Sequence, residues 1–407
     1  MQAGQPTAVD RKGLVVNPVV IVGGGFGGLY TALALAAMGN HPPLLLIEPN
    51  DRFLFLPLLY ELLSGELRAW EIAPRYDTLL AGAGVGWLQD RVVSIHTDDH
   101  ELRTASGSQL SYSALVLATG SRENNTVVPG AAQHGLTFRS LADVARLQQV
   151  IQDLGRRESP LQRLAIVGAG PTGVELACKV ADLLQGASVV ELIDQGDQVL
   201  AEGKAFNREQ ALSALRRRDV RVRLKTRVEA VAADRLTLTL PPAAPGLPAT
   251  REDLPVRAVL WTAGLRFQPP ALSPPPVLDL IGRLRCHPDL RLEGHRDVFV
   301  AGDLAAVSPP PADPASQCPA TAQVAFQQAP VVARNVLHAL AGEPLEPFVW
   351  NDLGEMLSLG KGEASLTGGG LTLAGAPAFA IRRLAYLTRL PGLPQQLRVA
   401  AGWLADR

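Results

Sequence analysis

The chain has 407 residues, with 38 Lys+Arg against 39 Asp+Glu, a formal net charge of −1, 19% charged and 47% hydrophobic residues. This balance excludes a polybasic nucleic-acid binder, an acidic-tail protein and a disordered chain, and the length leaves room for two or three domains of roughly 150 residues. The mean hydropathy of +0.12 raises a membrane relationship, while three cysteines without a close pair (Cys178, Cys286, Cys318) suit neither a disulfide scaffold nor a cysteine-based zinc site and make a reducing, intracellular compartment the default.

No Asp, Glu, Lys or Arg occurs between Lys12 and Glu48, an interval that could suit a signal peptide or a membrane span. Glycines at 23, 24, 25, 27 and 28 and the pair Pro42-Pro43 interrupt it. The pattern instead predicts a buried strand (Val19 to Val22), a glycine turn, a helix (Leu29 to Met38) and a second strand (Leu44 to Ile47). Strand-like runs follow at Gly86 to Ser94 and Glu101 to Thr104, then a buried strand, Leu115 to Ala118, closing on Thr119-Gly120. A helical pattern runs from Leu141 to Leu154, and Gly155 to Gln162 reads as a linker. The opening unit then recurs as a strand (Leu164 to Val167), a glycine turn, a helix (Val174 to Leu184) and a strand (Ser188 to Ile193). Strands near Val220 to Leu224 and Arg235 to Leu240 flank a Pro-rich loop at 241–248, and Val256 to Thr262 is a strand ending at Ala263-Gly264. Pro269 to Pro276 and Pro309 to Pro314 read as loops, and Val298 to Ala301 as a strand ending in Gly302-Asp303. Thr321 to Leu340 is a long helix expected to kink at Pro330.

Gly23-x-Gly25-x-x-Gly28 follows a strand and opens a helix, with Glu48 at the end of the next strand. The glycines allow a tight turn and close approach of a pyrophosphate to the positive helix end, and the carboxylate can accept hydrogen bonds from a ribose. Gly168-x-Gly170-x-x-Gly173 repeats the arrangement with Asp194 as its acid, which favours the free 2′-hydroxyl of NADH over the 2′-phosphate of NADPH. Two such sites in one chain imply one dinucleotide as prosthetic group and one as substrate, for which FAD and NADH or NADPH are the natural pair. Gly302-Asp303 can bring a glycine to the pyrophosphate and a carboxylate to the ribityl chain of the flavin.

The order of these motifs, with Ala118-Thr-Gly120, Gly168-Ala-Gly-Pro-Thr-Gly-Val-Glu175, Trp261-Thr-Ala-Gly264 and Ala322-Gln-Val-Ala-Phe-Gln-Gln328, resembles the type II NAD(P)H:quinone oxidoreductases across nearly the whole chain. Asp51-Arg-Phe-Leu-Phe-Leu-Pro-Leu-Leu-Tyr-Glu-Leu62, Trp70-Glu-Ile-Ala-Pro74 and Gly354-Glu-Met-Leu-Ser-Leu-Gly360 look like the cyanobacterial and plastid subgroup, which includes demethylphylloquinone reductases. The resemblance implies an α/β fold of two Rossmann-like dinucleotide-binding domains of the FAD/NAD(P)-dependent pyridine nucleotide-disulfide reductase type, with a C-terminal amphipathic membrane-docking segment. The expected boundaries are 1–155 and 266–345 for the FAD-binding domain, 156–265 for an inserted NAD(P)H-binding domain and 346–407 for the docking region.

For FAD and NAD(P)H the resemblance implies contacts from Gly23, Gly25, Phe26, Gly27, Gly28, Glu48, Arg52, Val92, Ala118, Thr119, Gly120, Gly302, Asp303 and Ala322, and from Gly168, Gly170, Pro171, Thr172, Gly173, Asp194 and Gly264. Arg382 would be a basic group near the flavin ring. A surface salt bridge is the alternative for Arg52 and Arg382. Gln323 and Gln327 stand i and i+4 on one helix face, so both amides can point at one ligand, and the resemblance makes that ligand a prenyl quinone of the membrane. Glu175, expected in the first turn of the second glycine-turn helix, would place cofactors or transfer a proton, the alternative being a carboxylate that only complements the helix dipole. The family's frequent second acid one turn later is Lys179 here.

The stretch from Ala380 to Leu390, then Leu397 to Leu404, alternates Leu, Ala, Tyr and Trp with Arg and holds no uncharged run of the ~18–20 residues that a span requires. It suits peripheral docking in a bilayer interface, with Tyr386 and Trp403 at the boundary, or packing on the protein body or in a homodimer. The expected location is the cytoplasmic side of a plasma or thylakoid membrane, without signal peptide or span. The activity expected is reduction of demethylphylloquinone or plastoquinone. A respiratory NADH:quinone reductase, a sulfide:quinone reductase and a non-catalytic redox-sensing flavoprotein stay open, although the lack of paired cysteines weakens the sulfide reading.

Overall fold

Four consecutive apolar residues with no polar alternation are what a strand buried on both faces requires. Val19–Val22, Leu44–Ile47 and Ala114–Leu117 meet that requirement and are buried at every position. A computed structural model describes residues 8–9, 15–156, 161–242, 248–308 and 317–405. The predicted linker core at 157–160, most of the loop at 241–248 and the Pro309 to Pro314 loop lie outside the described residues. The chain divides into two units, Met1–Leu54 with Ala73–Arg122 and Arg266–Asn351, and Phe55–Ile72 with Glu123–Leu265 and Asp352–Arg407.

The first unit is built on a five-stranded parallel sheet in the order Val298–Val300, Ala114–Leu117, Val19–Val22, Leu44–Ile47, Val85–Leu88. The strand before the first glycine turn is central, so the chain leaves it with neighbours of different connectivity on its two sides. A crevice opens at such a point beyond the carboxyl ends of the strands. Helix Phe26–Ala37 follows the turn and packs against helix Ala322–Ala341. The first helix starts at Phe26 and not at Leu29, because Gly27 and Gly28 take up helical positions that bring the helix close to the strand ends. The long helix is capped by the Thr321 hydroxyl, which accepts from Val324 N at 3.3 Å, and is continuous through the exposed Pro330.

The predicted strand from Gly86 to Ser94 is two strands, Val85–Leu88 and Val92–His96, broken by the polar residues Gln89 to Arg91. The Pro269 to Pro276 loop holds a short strand, Ala271–Ser273, parallel to Ser94, Ile95 and His96 at the edge of a four-stranded sheet. Its flanking prolines lack donors, and an edge position tolerates that.

The second unit repeats the sheet plan in the order Gly135–Leu136, Ala258–Trp261, Arg163–Val167, Val189–Ile193, Arg221–Arg223, again all parallel. An antiparallel sheet of Arg227–Val231, Arg235–Leu240 and Thr250–Pro255 packs on it through Val228, Leu236, Leu238, Val167 and Trp261. A further antiparallel sheet, Glu355–Ser358, Ala364–Gly368 and Leu371–Gly375, precedes helices Ala376–Leu387 and Leu393–Ala405. No helix among the described residues is long and apolar enough to cross a membrane.

The aromatic residues of the C-terminal helices have partners within their own unit. Trp403 donates to Glu71 Oε1 at 2.6 Å and lies under the Arg383 guanidinium, and Tyr386 packs on Phe55 and Arg382. Both rings are half-buried, and Ile381, Leu384, Leu393, Leu397 and Leu404 are exposed on the same helices, with Arg398 among them.

Candidate active site

The two glycine turns obey one design. In the first unit Gly23 has φ of +100°, and a Cβ there would run into the Ala118 carbonyl; a Cβ on Gly28 would run into the carbonyl of Gly23. A Cβ on Gly25 would meet nothing within 4 Å. In the second unit Gly168 has φ of +109° against Thr262, Gly173 abuts the Gly168 carbonyl, and Gly170 again faces open space. The outer glycines are thus required by the protein's own packing and the middle one is not. Open space at the positive end of a helix is where a pyrophosphate would rest, so both cradles fit a dinucleotide.

Both acids are clamped alike. Glu48 Oε2 accepts from Gly24 N at 2.8 Å and Oε1 from Asn50 N at 2.9 Å. Asp194 Oδ2 accepts from Ala169 N and Oδ1 from Gly196 N, both at 2.6 Å. In each unit one oxygen ties down the residue after the first glycine and the other ties down the residue two beyond the acid. Asn50 Nδ2 also donates to Glu48 Oε1 at 2.5 Å, so Glu48 Oε2 and both oxygens of Asp194 are the atoms that keep acceptor capacity for a ribose. Tyr76 supports the first turn by donating to Gly24 O at 2.7 Å, and burial followed by the nearby Glu48 raises its phenol well above its usual range.

Gly302-Asp303 arrives at the first turn. A Cβ on Gly27 would touch Ala301 and Gly302 at 3.1–3.2 Å, and Asp303 Oδ2 accepts from the Ser121 hydroxyl at 2.6 Å, one residue beyond the Ala118-Thr119-Gly120 strand end. Phe26 at the helix start packs edge-on against Phe53. Ala322 is the first residue of its helix. Arg52, partly exposed, donates to Ala73 O at 3.1 Å and lies 3.6 Å from Asp51, while Val92 begins the four-stranded sheet. In the second unit Pro171 and Thr172 open the helix after Gly170, and Gly264 accepts at its carbonyl from Asn124 N.

The glutamines have distinct partners. Gln327 is occupied at both ends of its amide, donating to Asn351 O at 2.9 Å and accepting from Asn351 N at 3.1 Å. The neighbouring Gln328, buried completely, accepts from Gly302 N at 2.7 Å and so ties the long helix to the Gly-Asp turn. It lies inside the motif at 322–328, but the i, i+4 spacing of Gln323 and Gln327 diverts attention from it.

Glu175 stands one residue past the first turn of helix Pro171–Leu184, so it does not serve as a first-turn complement to the helix dipole. It is buried, accepts from Ser358 N at 2.8 Å and from the Tyr60 hydroxyl, and lies 3.7 Å from Arg382. Burial pushes its carboxyl up to about 7, against the pull of Arg382. Arg382 is 1% exposed, which rules out the surface salt bridge. Its guanidinium pairs closely with Glu61 and donates to Pro57 O at 2.6 Å. Burial works against its charge, but Glu61, Tyr386 and Glu175 hold its pKa above the usual value. Lys179, on the same helix as Glu175 and fully buried, points elsewhere, to Glu66 and to Gly360 O. Tyr60, Glu61 and Glu66 are functional candidates that residue-by-residue reading passes over. For Tyr60 and Glu61 the signal is in the motif at 51–62, where they interrupt an apolar helical run; Glu66 lies beyond it.

Residues 17–329 match the family model of the pyridine nucleotide-disulphide oxidoreductases. The chain is 38% identical over 396 residues to a demethylphylloquinone reductase of Synechocystis sp., covering 95% of each. It is 36% identical over 421 residues to an alternative NAD(P)H-ubiquinone oxidoreductase C1, chloroplastic/mitochondrial, of Arabidopsis thaliana, covering 95% of this chain and 80% of that one. The structure of NDH2 from Plasmodium falciparum in complex with NADH shares the fold, with a TM-score of 0.82 at 16% identity over 95% of this chain and 97% of that one. On the family match and these identities, the chain belongs to the pyridine nucleotide-disulphide oxidoreductases and, within them, to the type II NAD(P)H:quinone oxidoreductases.

Proposed function

We propose that this FAD-dependent NAD(P)H:quinone oxidoreductase takes its electrons from NADH and delivers them to demethylphylloquinone at a membrane surface. The observation that carries the two-dinucleotide reading is the acid-clamped turn repeated in both units. FAD is held by the turn Gly23 to Gly28, Glu48 and Gly302-Asp303, and the nicotinamide nucleotide by Gly168 to Gly173 and Asp194. The carboxylate of Asp194 supports NADH, because a 2′-phosphate beside it would meet like charge. Bound FAD supplies hydride acceptance from NAD(P)H and two-electron delivery to the quinone.

The quinone assignment draws on the Synechocystis relative. Conversion of a quinone to a quinol takes up two electrons and two protons. Hydride brings both electrons and one proton, so a second proton must come through the protein. Glu175, with burial raising its carboxyl to about 7, is about half protonated at neutral pH and is the group suited to hold it. Gln323 offers an amide to a quinone carbonyl, while Gln327 secures the segment at Asn351. The exposed leucines and isoleucine of the C-terminal helices suit shallow insertion into a bilayer interface on its cytoplasmic side.

Stopped-flow absorbance tests the reading. NADH should bleach the bound flavin rapidly, and demethylphylloquinone should restore its colour faster than ubiquinone or plastoquinone does. Failure of NADH to bleach sinks the enzymatic reading, and faster reoxidation by ubiquinone moves the substrate to the respiratory class.

A further inference from the structure

We propose that Glu61 is a positioning residue for this reaction, holding the Arg382 guanidinium so that Glu175 is the carboxyl of the pair that keeps a proton. The inference deepens the proposed role of Glu175 as proton holder and rests on that reading. Glu61, Glu175 and Arg382 are all more than nine-tenths buried within one unit. Two carboxylates around one guanidinium leave a net negative charge if both ionise, and burying an uncompensated charge is costly. One proton removes the excess, and the geometry says which oxygen receives it.

Glu61 takes the close contact to Arg382 Nη1, whereas Glu175 lies 3.7 Å from Nη2, which is also turned to Pro57 O at 2.6 Å. Glu61 thus has the guanidinium at hydrogen-bonding distance and Glu175 has it only at second remove. The second oxygen of Glu61 and Arg382 Nε have no partner among the described residues. Pro57 O and the Tyr386 ring also hold the guanidinium, but Glu61 is the carboxylate at hydrogen-bonding distance and sets which anion its charge is spent on.

The other groups around Glu175 do not replace Arg382 as a counter-ion. From helix Leu59–Leu63, Tyr60 donates to Glu175 and accepts from Thr172, and its own phenol is raised chiefly by burial. From helix Ala376–Leu387, Tyr386 is likewise raised by burial. From strand Glu355–Ser358 the Ser358 N–H donates to the carboxyl at 2.8 Å. On Glu175's own helix, burial lifts the Cys178 thiol to about 12, and Lys179 is committed to Glu66.

The test is an infrared pH titration of the flavin-loaded protein, following the protonated-carboxyl C=O band that is lost in Glu175→Gln. In the unsubstituted protein the midpoint is expected at about 7. Glu61→Gln leaves Arg382 with Glu175 as its only anion. Its midpoint should fall by roughly 2 pH units, within the range for a carboxyl beside arginine, taking the protonated fraction at pH 7 from about one half to roughly one in a hundred. Single-turnover flavin reoxidation should lose its rate at correspondingly lower pH, with the rate of flavin reduction by NADH unchanged. Should Glu61→Gln fail to retain flavin, Glu61→Asp draws the carboxylate back from Arg382 and should lower the midpoint by a smaller amount. A midpoint that stays near 7 in the variant that folds overturns the assignment. The band reports the carboxyl without any quinone present, so failure of the quinone reading alone would leave the titration shift intact.

Discussion

Replacing Lys179 by Met removes one partner of a buried pair and keeps the length of the side chain. Lys179 has no exposed surface, and its ammonium meets Glu66 and the Gly360 carbonyl at 3.0 Å. Glu66 in turn accepts from the Ser64 hydroxyl and from Gly362 N at 3.1 Å, so one carboxylate gathers three segments of the second unit. Breaking a fully buried pair from one side costs about 3–5 kcal/mol, because the remaining charge is left without its partner. Glu66 keeps 20% of its side-chain surface in water, which places the cost near the lower end, about 3 kcal/mol. For a unit of roughly 200 residues that corresponds to a fall in Tm of about 6–12 °C. Differential scanning fluorimetry of the flavin-loaded protein measures it, and the same substitution in a Glu66→Gln background should cost less than half as much.

The pH dependence supplies a sign. Burial raises the Glu66 carboxyl, but Lys179, Ser64 and Gly362 together outweigh it and hold the pKa below its ordinary value. Its contribution is therefore complete above the unfolded carboxylate pKa and is lost as pH falls through the lower folded one. Glu175 acts oppositely. With its folded pKa raised to about 7, its contribution is complete below the unfolded pKa and is lost as pH rises toward 7. The penalty of Lys179→Met should accordingly shrink at acid pH. A Tm within 2 °C of the unsubstituted protein at neutral pH, or a penalty that is the same at pH 7 and in acid, would refute the account of this pair.

Gly170→Ala should leave Tm unchanged while weakening NADH binding by about tenfold or more, since its Cβ enters only the space left for the pyrophosphate. Gly173→Ala should destabilise the unit itself by several kcal/mol through collision with the Gly168 carbonyl; isothermal titration and thermal melting separate the two. Asp194→Asn removes the charge that opposes a 2′-phosphate and should lower the NADH-over-NADPH ratio of kcat/KM by about tenfold or more, a change of ~1.4 kcal/mol; an unchanged ratio argues against Asp194 as the selector. Leu384→Glu with Leu397→Glu, both on exposed positions, should abolish co-sedimentation with anionic lipid vesicles while flavin reduction by NADH continues at its normal rate.

Local pattern carried much of this molecule. A glycine turn between a wholly apolar strand and a helix, with an acid at the end of the next strand, is a short-range statement, because each element is specified within some thirty residues and by steric demands such as the positive φ of Gly23 and Gly168. Its repetition announces two cradles, and the parallel, doubly buried sheets follow from strands without polar alternation. The edge strand at Ala271–Ser273 and the sheet at 355–375 carry weaker signals, since strands of three to five residues among prolines and glycines are stabilised by their neighbours and not by their own pattern.

What tertiary structure alone decided is how the long-range polar groups sort themselves. Glu61 and Arg382 are 321 residues apart in sequence, and Lys179 and Glu66 are 113 apart. No periodicity joins such positions. Arg382 sits in an arginine-studded segment that reads as a surface, yet it is buried because two carboxylates await it. Trp403 and Tyr386 each pack on a partner more than 300 residues away in sequence within their own unit. The sequence by itself determined where two dinucleotides can be held, because backbone sterics and apolar burial act locally. Only the fold decided which charges meet, because a buried charge is tolerated solely where the packing of distant segments brings its partner within a few ångströms.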